Sequence, residues 1–507
     1  MLSEILSSAA LGTEGELVRV EVDMTPGLPS FDIVGLADTA VKESKERVKL
    51  ALKNNMVKLP AKQYVVNLAP ADLKKEGTLY DFPIAIGLMC ALGYISVPDI
   101  KECMFIGELS LSGKLRKIKG ALIAAVCAGD NGIKKLFLPK ENAKEAAIAD
   151  GVEVYPCESL SDAIYHLRGE KLIEKEKFDM NAYFESKYDY DVDFSEVKGQ
   201  KAAKRAMEIA AAGGHNILMV GSPGSGKTML AKRLPTILPD LTLEESLEVT
   251  KIYSIAGLLS EDTPLITKRP FRSPHHTVSS VGLAGGGTVP KPGEVSLAHN
   301  GVLFLDEFPE FKKDAIEILR QPIEDGKITV SRVQRTTVYQ SDLMLVAAMN
   351  PCKCGYYGDI KHECTCTETQ RHNYISKISG PVMDRIDIQV RVPSVDFEDF
   401  ESKAPEEPSS EIRKRVNEAR KIQRKRFEGS KTYSNSMMTP SQIQKFCVLG
   451  EEETNALKKA FNTLGLSARA YDRILKVSRT IADLDGSENI KTKHIFEAIS
   501  YRSLDRN

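Results

Sequence analysis

The first third of the chain alternates short β-rich runs with helical stretches. Apolar and β-branched residues dominate 18–22, 64–68 and 136–138, whereas 38–54 has helical spacing. The longest uncharged apolar run, 82–97, is shorter than the ~20 apolar residues that a membrane span needs. We therefore expect no membrane segment there, but a buried core helix inside an α+β domain.

The middle of the chain has the pattern of a parallel sheet covered by helices. The runs 217–220 and 302–305 are apolar throughout, which is typical of strands buried on both faces. Between the two regions the residues are charged, rich in tyrosine and without periodicity, and a second acidic stretch, 395–411, leads into a helical block. The patterns predict a multidomain α/β protein with an α+β domain over 1–168, a charged linker over 169–194, an α/β core over 195–395 and a helical domain over 396–507.

Composition is that of an ordinary folded protein. The 507 residues are 42% hydrophobic and 27% charged, which argues against a mostly disordered chain. The 69 basic and 70 acidic residues nearly cancel, so any surface for nucleic acid must be local. The N-terminus has no basic segment of the secretory type, and the nine cysteines do not have the distribution of a disulfide framework. These features predict a soluble, cytoplasmic protein.

Residues 221–228 read GSPGSGKT and fit the phosphate-binding pattern G-x-x-x-x-G-K-[ST]. The motif follows an apolar strand and precedes a helical run, as a P-loop must. Its glycines allow backbone amides to turn towards phosphate oxygens, and the helix adds its N-terminal amides. Lys227 is expected to reach the β- and γ-phosphates of ATP, and Thr228 to hold Mg²⁺. The predicted nucleotide-binding residues are Gly221, Ser222, Pro223, Gly224, Ser225, Gly226, Lys227 and Thr228.

Two further apolar strands end in residues suited to phosphate chemistry. The run 301–307, GVLFLDE, ends in Asp306, which would bind Mg²⁺ through water, and Glu307, which would act as general base on the attacking water. The strand ending at Asn350 would place an amide against the γ-phosphate, although an asparagine before Pro351 is also a common turn residue.

The motifs GSPGSGKT, GVLFLDE, VAAMNPC and SGPVMDRID resemble those of AAA+ ATPases of the magnesium-chelatase-like group. The segment FRSPHHTVSSVGLAGGGTVPKPGEVSLAHNGVLFLDEFPEF resembles the ComM (YifB) family, and this resemblance runs essentially end to end. It implies a C-terminal helical lid, an arginine finger at Arg385 that reaches a neighbouring subunit's ATP, and a sensor-2 arginine at Arg469. A surface ion pair is the alternative for each arginine.

The resemblance also implies an assembly and a function. A finger that acts on a neighbour requires an oligomer. The family implies a hexameric ring that encircles DNA and drives branch migration of recombination intermediates in natural transformation. An ATP-dependent protein-remodelling machine is the alternative. A metal-chelatase motor is less favoured, because the chain has no D-x-S-x-S motif.

A basic hairpin is the candidate DNA surface. Residues 326–338 alternate β-branched and basic residues and predict a hairpin turning near 333–335. Lys327, Arg332 and Arg335 would meet phosphates, while a solvated basic edge is the alternative. The helix predicted at 411–427, with eight basic and two acidic residues, is a second candidate, with a solvated helix face as its alternative.

Four cysteines form a tight group. Cys352, Cys354, Cys364 and Cys366 make two C-x-C hooks separated by nine residues, which can close a tetrahedral Zn²⁺ site. Unliganded thiols or a redox pair are the alternatives, and His362 is a substitute ligand. We expect a structural metal whose loss weakens communication around the ring more than nucleotide binding. The adjacent His275 and His276 indicate a loop anchor rather than a second metal site.

Residues 73–95 and 106–140 resemble the proteolytic domain of Lon. Serine–lysine proteolysis needs a hydroxyl nucleophile beside a lysine base. The resemblance puts Leu79 at the serine position and Leu122 at the lysine position, so we expect a Lon-like fold without proteolytic activity. Thr78 and Lys119 lie near the two positions, which keeps a protease as an alternative.

Overall fold

A mixed β-sheet organises the N-terminal region. The computed structural model describes residues 2–96, 98–185, 190–287, 291–332, 335–359, 361–394, 405–464 and 467–502. Within these residues, seven strands form the sheet in the spatial order Ser30–Val34, Gln63–Ala69, Glu14–Thr25, Ser3–Leu11, Cys103–Phe105, Lys135–Pro139 and Glu153–Cys157. Glu14–Thr25 pairs with antiparallel neighbours on both sides, and the other pairs are parallel.

The local sequence explains these elements. Val18, Val20 and Val22 alternate along their strand and are fully buried, as one face of a half-buried strand requires. The Asp38 carboxylate accepts a hydrogen bond from the Val41 amide at 2.8 Å and so starts the first helix. The predicted core helix is confirmed at Asp81–Ala91. The helices of this region are Thr39–Asn54, Asp81–Ala91, Ala121–Asp130, Ala143–Ala146, Leu160–Leu167 and Met180–Glu185.

The second sheet is parallel, as predicted. Its described strands lie in the order Phe271–Arg272, Val302–Leu305, Met344–Met349, Ile217–Val220 and Ile388–Arg391. All residues of the two strands predicted from apolar runs are buried, because helices cover both faces. The surrounding helices are Lys201–Gly213, Lys227–Arg233, Leu243–Ala256, Ser280–Ala284, Glu294–Leu297, Lys313–Ile318, Arg320–Asp325, Glu368–Ile375 and Gly380–Met383. Short two-stranded sheets join Glu108–Leu109 with Leu115–Arg116, and Gly285–Gly286 with Lys291–Pro292.

The C-terminal region is helical. Its described helices are Ser409–Arg426, Pro440–Phe446, Glu451–Leu464, Ala468–Leu484 and Thr492–Ser500. Ile474 and Ile481 share one hydrophobic cluster with Ile217 and Met219 of the parallel sheet. The helical region is therefore packed on the sheet core through a continuous apolar interior.

The N-terminal region docks on the helix Leu243–Ala256 of the core. The Gly120 amide donates to the Ser254 carbonyl at 3.1 Å, and Lys117 Nζ donates to the Leu259 carbonyl at 2.6 Å. Part of the predicted linker joins this contact, since Tyr183 packs in the same hydrophobic cluster as Leu122. In the part of the chain that the structure describes, no helix combines the length and hydrophobicity of a membrane span.

Candidate functional site

The loop 221–228 connects the strand Ile217–Val220 to a helix that begins at Lys227. The Gly221 amide donates to the Met349 carbonyl at 3.2 Å, which holds the start of the loop at the end of the neighbouring strand. A β-carbon on Gly221 would lie 2.2 Å from the Val392 carbonyl oxygen, so only glycine fits there. Gly224 and Gly226 have φ values of +77° and +85°, which other residues rarely adopt. The glycine pattern in the sequence thus reflects backbone requirements of the loop.

Lys227 is folded into this loop. Its Nζ donates to the carbonyls of Gly221 and Ser222 at 2.8 and 2.9 Å, and lies 3.3 Å from Asn350 Oδ1. Burial lowers the pKa of Lys227, and the carboxylate of Asp306 opposes this effect. The structure therefore brings the predicted lysine and asparagine together, at the centre of the loop.

The predicted Mg²⁺ ligands also meet. Thr228 Oγ1 donates to Asp306 Oδ2 at 2.6 Å, although the two residues are 78 positions apart. A hydroxyl and a carboxylate beside a phosphate-binding loop are the oxygen donors that Mg²⁺ takes alongside phosphate and water. The residues present thus fit a magnesium–nucleotide complex.

Glu307 has a partner that the sequence did not reveal. Its Oε2 lies 3.1 Å from His276 Nδ1, and its backbone has a φ of +53°, which is unusual outside glycine. Its side chain is 57% exposed, so solvent water can reach the carboxylate. His276 therefore anchors its loop at the predicted general base, and adjacent His275 contacts Thr277 Oγ1 at 2.9 Å.

Arg385 and Arg469 lie on another surface. Both line a cavity of about 460 Å³ between the sheet core and the C-terminal helices, and no described residue of the loop 221–228 lines it. Arg385 donates to Glu324, which lowers the pKa of that carboxylate, and to the Pro381 carbonyl at 2.7 Å. Arg469 lies 3.8 Å from Asp384. The ion pairs considered as the alternative from sequence are thus present. Both arginines nevertheless line the same cavity.

Comparison with known proteins decides the family. Competence protein ComM of Haemophilus influenzae is 41% identical over 512 residues, covering 100% of this chain and 98% of the relative. The uncharacterized protein YifB of Escherichia coli is 42% identical over 507 residues, with the same coverage. The chain belongs to the ComM/YifB family.

Family models place this ComM/YifB member among AAA+ proteins of the magnesium-chelatase type. Residues 193–400 match the model described as magnesium chelatase, subunit ChlI, and residues 20–142 match subunit ChlI of Mg-chelatase. Residues 406–502 match the ChlI C-terminal model. The magnesium-chelatase 67 kDa subunit of Chlorobaculum tepidum is 29% identical over 164 residues, which cover 31% of this chain and 23% of that subunit.

In this ComM/YifB protein the basic hairpin forms where the sequence predicted it. Lys327–Arg332 pairs antiparallel with Arg335–Gln340, and Arg332 faces Arg335 in the register. Lys327 is exposed, and residues 333 and 334 of the turn predicted near 333–335 lie outside the described residues. A β-carbon on Gly12 would lie 2.9 Å from Thr337 Cγ2, so the first turn of the N-terminal region touches this hairpin.

Three arginines of the second basic candidate make ion pairs with other elements of the fold. On the helix Ser409–Arg426, Arg413 pairs with Asp240, and Arg415 with Glu208 at 2.6 Å. Arg426 pairs with Asp483 at 2.7 Å. Arg413 and Arg415 thus hold the helix on the core, whereas Arg426 joins two helices of the C-terminal region, and sequence alone could not show which basic residues have such partners.

The four clustered cysteines converge. Their sulfur atoms all lie within 4.8 Å of one another, and Cys352 Sγ is 3.3 Å from Cys354 Sγ and 3.7 Å from Cys364 Sγ. Four thiolates at about 2.3 Å from one Zn²⁺ would be about 3.8 Å apart, which matches this spacing. Hydrogen bonds, above all that from the backbone amide of Tyr356, lower the pKa of Cys354 to about 5, which favours the thiolate. The substitute ligand considered from sequence, His362, instead lies 3.4 Å from Asp359.

The N-terminal residues at or near the positions predicted for a serine–lysine pair contact other parts of the fold. Leu122 is buried, and Leu79 is partly buried beside the core. Thr78 donates to Glu108, and the side chain of Lys119 packs against Gly257 in the contact with the core. The absence of proteolytic activity stays a prediction.

Proposed function

We propose that this AAA+ protein is an ATP-hydrolysing ring motor that acts on DNA, as a branch-migration helicase. The observation that carries the proposal is the separation of its functional residues. The loop of Lys227 and the cavity of Arg385 are different surfaces of one chain, which supports action of the arginines on the nucleotide of a neighbouring copy. Repeating this head-to-tail contact closes into a ring, and we infer a hexamer from the family resemblance.

Each predicted residue has a role in ATP hydrolysis. Lys227 and Asn350 bind phosphate oxygens, and Lys227 exchanges its carbonyl partners for phosphate when ATP binds. Thr228 and Asp306 would hold Mg²⁺, which would neutralise charge on the phosphates when bound. Glu307 accepts a proton from the attacking water. Arg385 and Arg469 stabilise the transition-state charge from a neighbouring subunit.

The DNA role is supported by the hairpin and by a relative's name. The similar Haemophilus influenzae protein is named a competence protein. Lys327, which is exposed, and Arg332 lie on one strand and Arg335 begins the paired strand, which gives three basic residues on one hairpin. Cations in such an arrangement bind the phosphate backbone without reading its sequence, as a translocating motor requires.

We also infer that the four cysteines hold a structural Zn²⁺. The support is the agreement between the sulfur spacing and tetrahedral thiolate geometry. The reducing cytoplasm predicted from the sequence favours metal-bound thiolates over disulfides.

The test is steady-state ATP hydrolysis by zinc-loaded protein, with and without single-stranded and branched DNA. We expect strong stimulation by DNA, and its loss in Arg385→Ala. The matched control is Arg19→Ala, which removes an exposed arginine of the N-terminal sheet and should leave stimulation intact. ATP hydrolysis by an intact oligomer without any response to DNA would contradict the DNA role and favour a protein-remodelling machine.

A further inference from the structure

The cysteine cluster and the nucleotide site share one stretch of backbone. The strand Met344–Met349 ends at Asn350, and Cys352 follows two residues later. The Met349 carbonyl accepts the hydrogen bond from Gly221, and Asn350 Oδ1 accepts one from Lys227 at 3.3 Å. A displacement of the cysteine hooks is therefore transmitted over two residues to groups that contact the P-loop.

The loop between the hooks also touches the P-loop directly. Gly355 has a φ of +92°, and a β-carbon there would lie 2.7 Å from both Cγ and Cδ of Pro223. The Asp359 carboxylate, whose side chain is only 6% exposed, lies beside the Ser222 side chain, which lowers the pKa of the carboxylate. Two residues of the loop thus hold two consecutive residues of the P-loop.

The far end of the loop is fastened to the core. Arg371 Nη1 donates to the Cys366 carbonyl at 3.0 Å, and its guanidinium lies 4.4 Å from the ring centroid of Tyr357. The Cys354 amide donates to Cys366 Sγ at 3.4 Å, which brings the two hooks together. A metal bound by both hooks would close this loop, and loop closure removes conformational freedom that would otherwise oppose the contacts with the P-loop.

We propose that Zn²⁺ bound by the four cysteines controls the affinity for ATP, because the metal-closed loop 352–366 holds Ser222 and Pro223 in the phosphate-binding conformation. This inference rests on the nucleotide and zinc sites proposed above. It gives the metal a regulatory role at the nucleotide site itself, in contrast to the sequence-based expectation that metal loss acts mainly on ring communication.

The first experiment compares the zinc-loaded full chain with the same protein stripped of zinc by a chelator under reducing conditions. The Kd of a fluorescent ATP analogue is measured after the chelator is removed and excess Mg²⁺ is present. Loss of the contacts that the loop makes with Ser222 and Pro223 should weaken nucleotide binding by about tenfold, which corresponds to about 1.4 kcal/mol. Returning one equivalent of Zn²⁺ should restore the original Kd.

Two glycine variants separate the loop contact from the metal itself. Gly355→Ala keeps every thiol but drives a methyl group into Pro223, so we expect bound Zn²⁺ with a weakened affinity for the ATP analogue. Gly358→Ala is the matched control, because its φ of +78° carries similar backbone strain while its β-carbon would approach only Arg391 Nη1, at 3.5 Å. We expect zinc content and nucleotide affinity close to wild type in this control.

The outcomes are distinguishable by measuring zinc content alongside nucleotide binding. Cys364→Ser should lose both zinc and affinity, whereas Cys90→Ser, outside the cluster, should lose neither. An unchanged Kd after zinc removal, or in Gly355→Ala, would overturn the coupling and leave the metal site standing. If the protein never takes up Zn²⁺, the coupling and the metal site are both overturned, and the proposed function is not affected. Failure of zinc-loaded wild type to bind ATP would instead overturn the proposed function.

Discussion

At the scale of single residues, the candidate chemistry depends on pairs that lie far apart in the sequence. Thr228 meets Asp306 at 2.6 Å, Lys227 meets Asn350 at 3.3 Å, and Glu307 lies 3.1 Å from His276. The first two pairs join residues that the motifs predicted separately. The third pair has no sequence signal, because nothing in the spacing of His276 and Glu307 indicates that their loops meet.

Substitutions of Lys227 and Glu307 should separate nucleotide binding from turnover. Lys227→Ala removes the buried ammonium group, so we expect a large loss of ATP affinity. Glu307→Gln keeps the shape of the site but cannot accept a proton, so we expect binding to persist while kcat falls by about 10²-fold or more. Fluorescent-nucleotide titration and steady-state hydrolysis measure the two effects.

The control for this pair is Lys232→Ala, which removes an exposed lysine from the same helix. Its affinity should equal that of wild type. Equal nucleotide affinity in Lys227→Ala and wild type would contradict the P-loop assignment.

At the scale of elements, the hairpin Lys327–Arg332 with Arg335–Gln340 forms as the alternating pattern predicted. The pattern predicted the hairpin because side chains alternate between the two faces of a strand and both strands carry β-branched residues. The role of the basic helix was harder to predict, because its eight basic residues over 411–427 indicated only a charged face. Only the tertiary structure shows Asp240, Glu208 and Asp483 opposite the arginines of that helix.

Removing the basic residues of the hairpin should weaken DNA binding uniformly across sequences. If Lys327, Arg332 and Arg335 each neutralise one phosphate of a duplex, the triple alanine variant should reduce the salt dependence of log K by about 2.7. Fluorescence anisotropy at several salt concentrations measures this slope. Lys140→Ala, an exposed lysine in the N-terminal region, is the control. An unchanged slope in the triple variant would favour the solvated-edge alternative.

At the scale of the whole molecule, the proposed role of Arg385 at its separate cavity depends on assembly. Arg385 is 7% exposed in the single chain and lies at a cavity lined by both the core and the C-terminal helices. The C-terminal region shares its hydrophobic cluster with the parallel sheet, so it can transmit a change at this cavity to the core. The N-terminal region contacts the same core through Lys117 and Gly120.

Mixing two inactive variants tests whether the arginine acts on a neighbour. Lys227→Ala retains Arg385, and Arg385→Ala retains a complete P-loop, so random mixed oligomers should have intact sites at about a quarter of their interfaces. We expect ATP hydrolysis to reappear on mixing. Mixing Lys227→Ala with Lys227→Ala/Arg385→Ala offers no intact site and is the control. Continued inactivity of the first mixture, with subunit exchange demonstrated, would contradict action in trans.

The sequence by itself determined the parts of this protein that depend on neighbouring residues. The P-loop, the acidic strand end, the parallel strands and the buried helix at Asp81–Ala91 are local patterns, because backbone conformation and burial follow the period and type of adjacent residues. The family resemblance added Arg385 and Arg469. The roles of these site residues stay predictions, as do the domain boundaries.

Only the tertiary structure decided which distant residues meet. It placed His276 at Glu307, gathered Arg385 and Arg469 at one cavity, and set Gly355 against Pro223. The physical reason is that such contacts depend on chain crossings and loop paths, which leave no periodic trace in the sequence. The proposed control of ATP affinity by zinc follows from a contact of this kind.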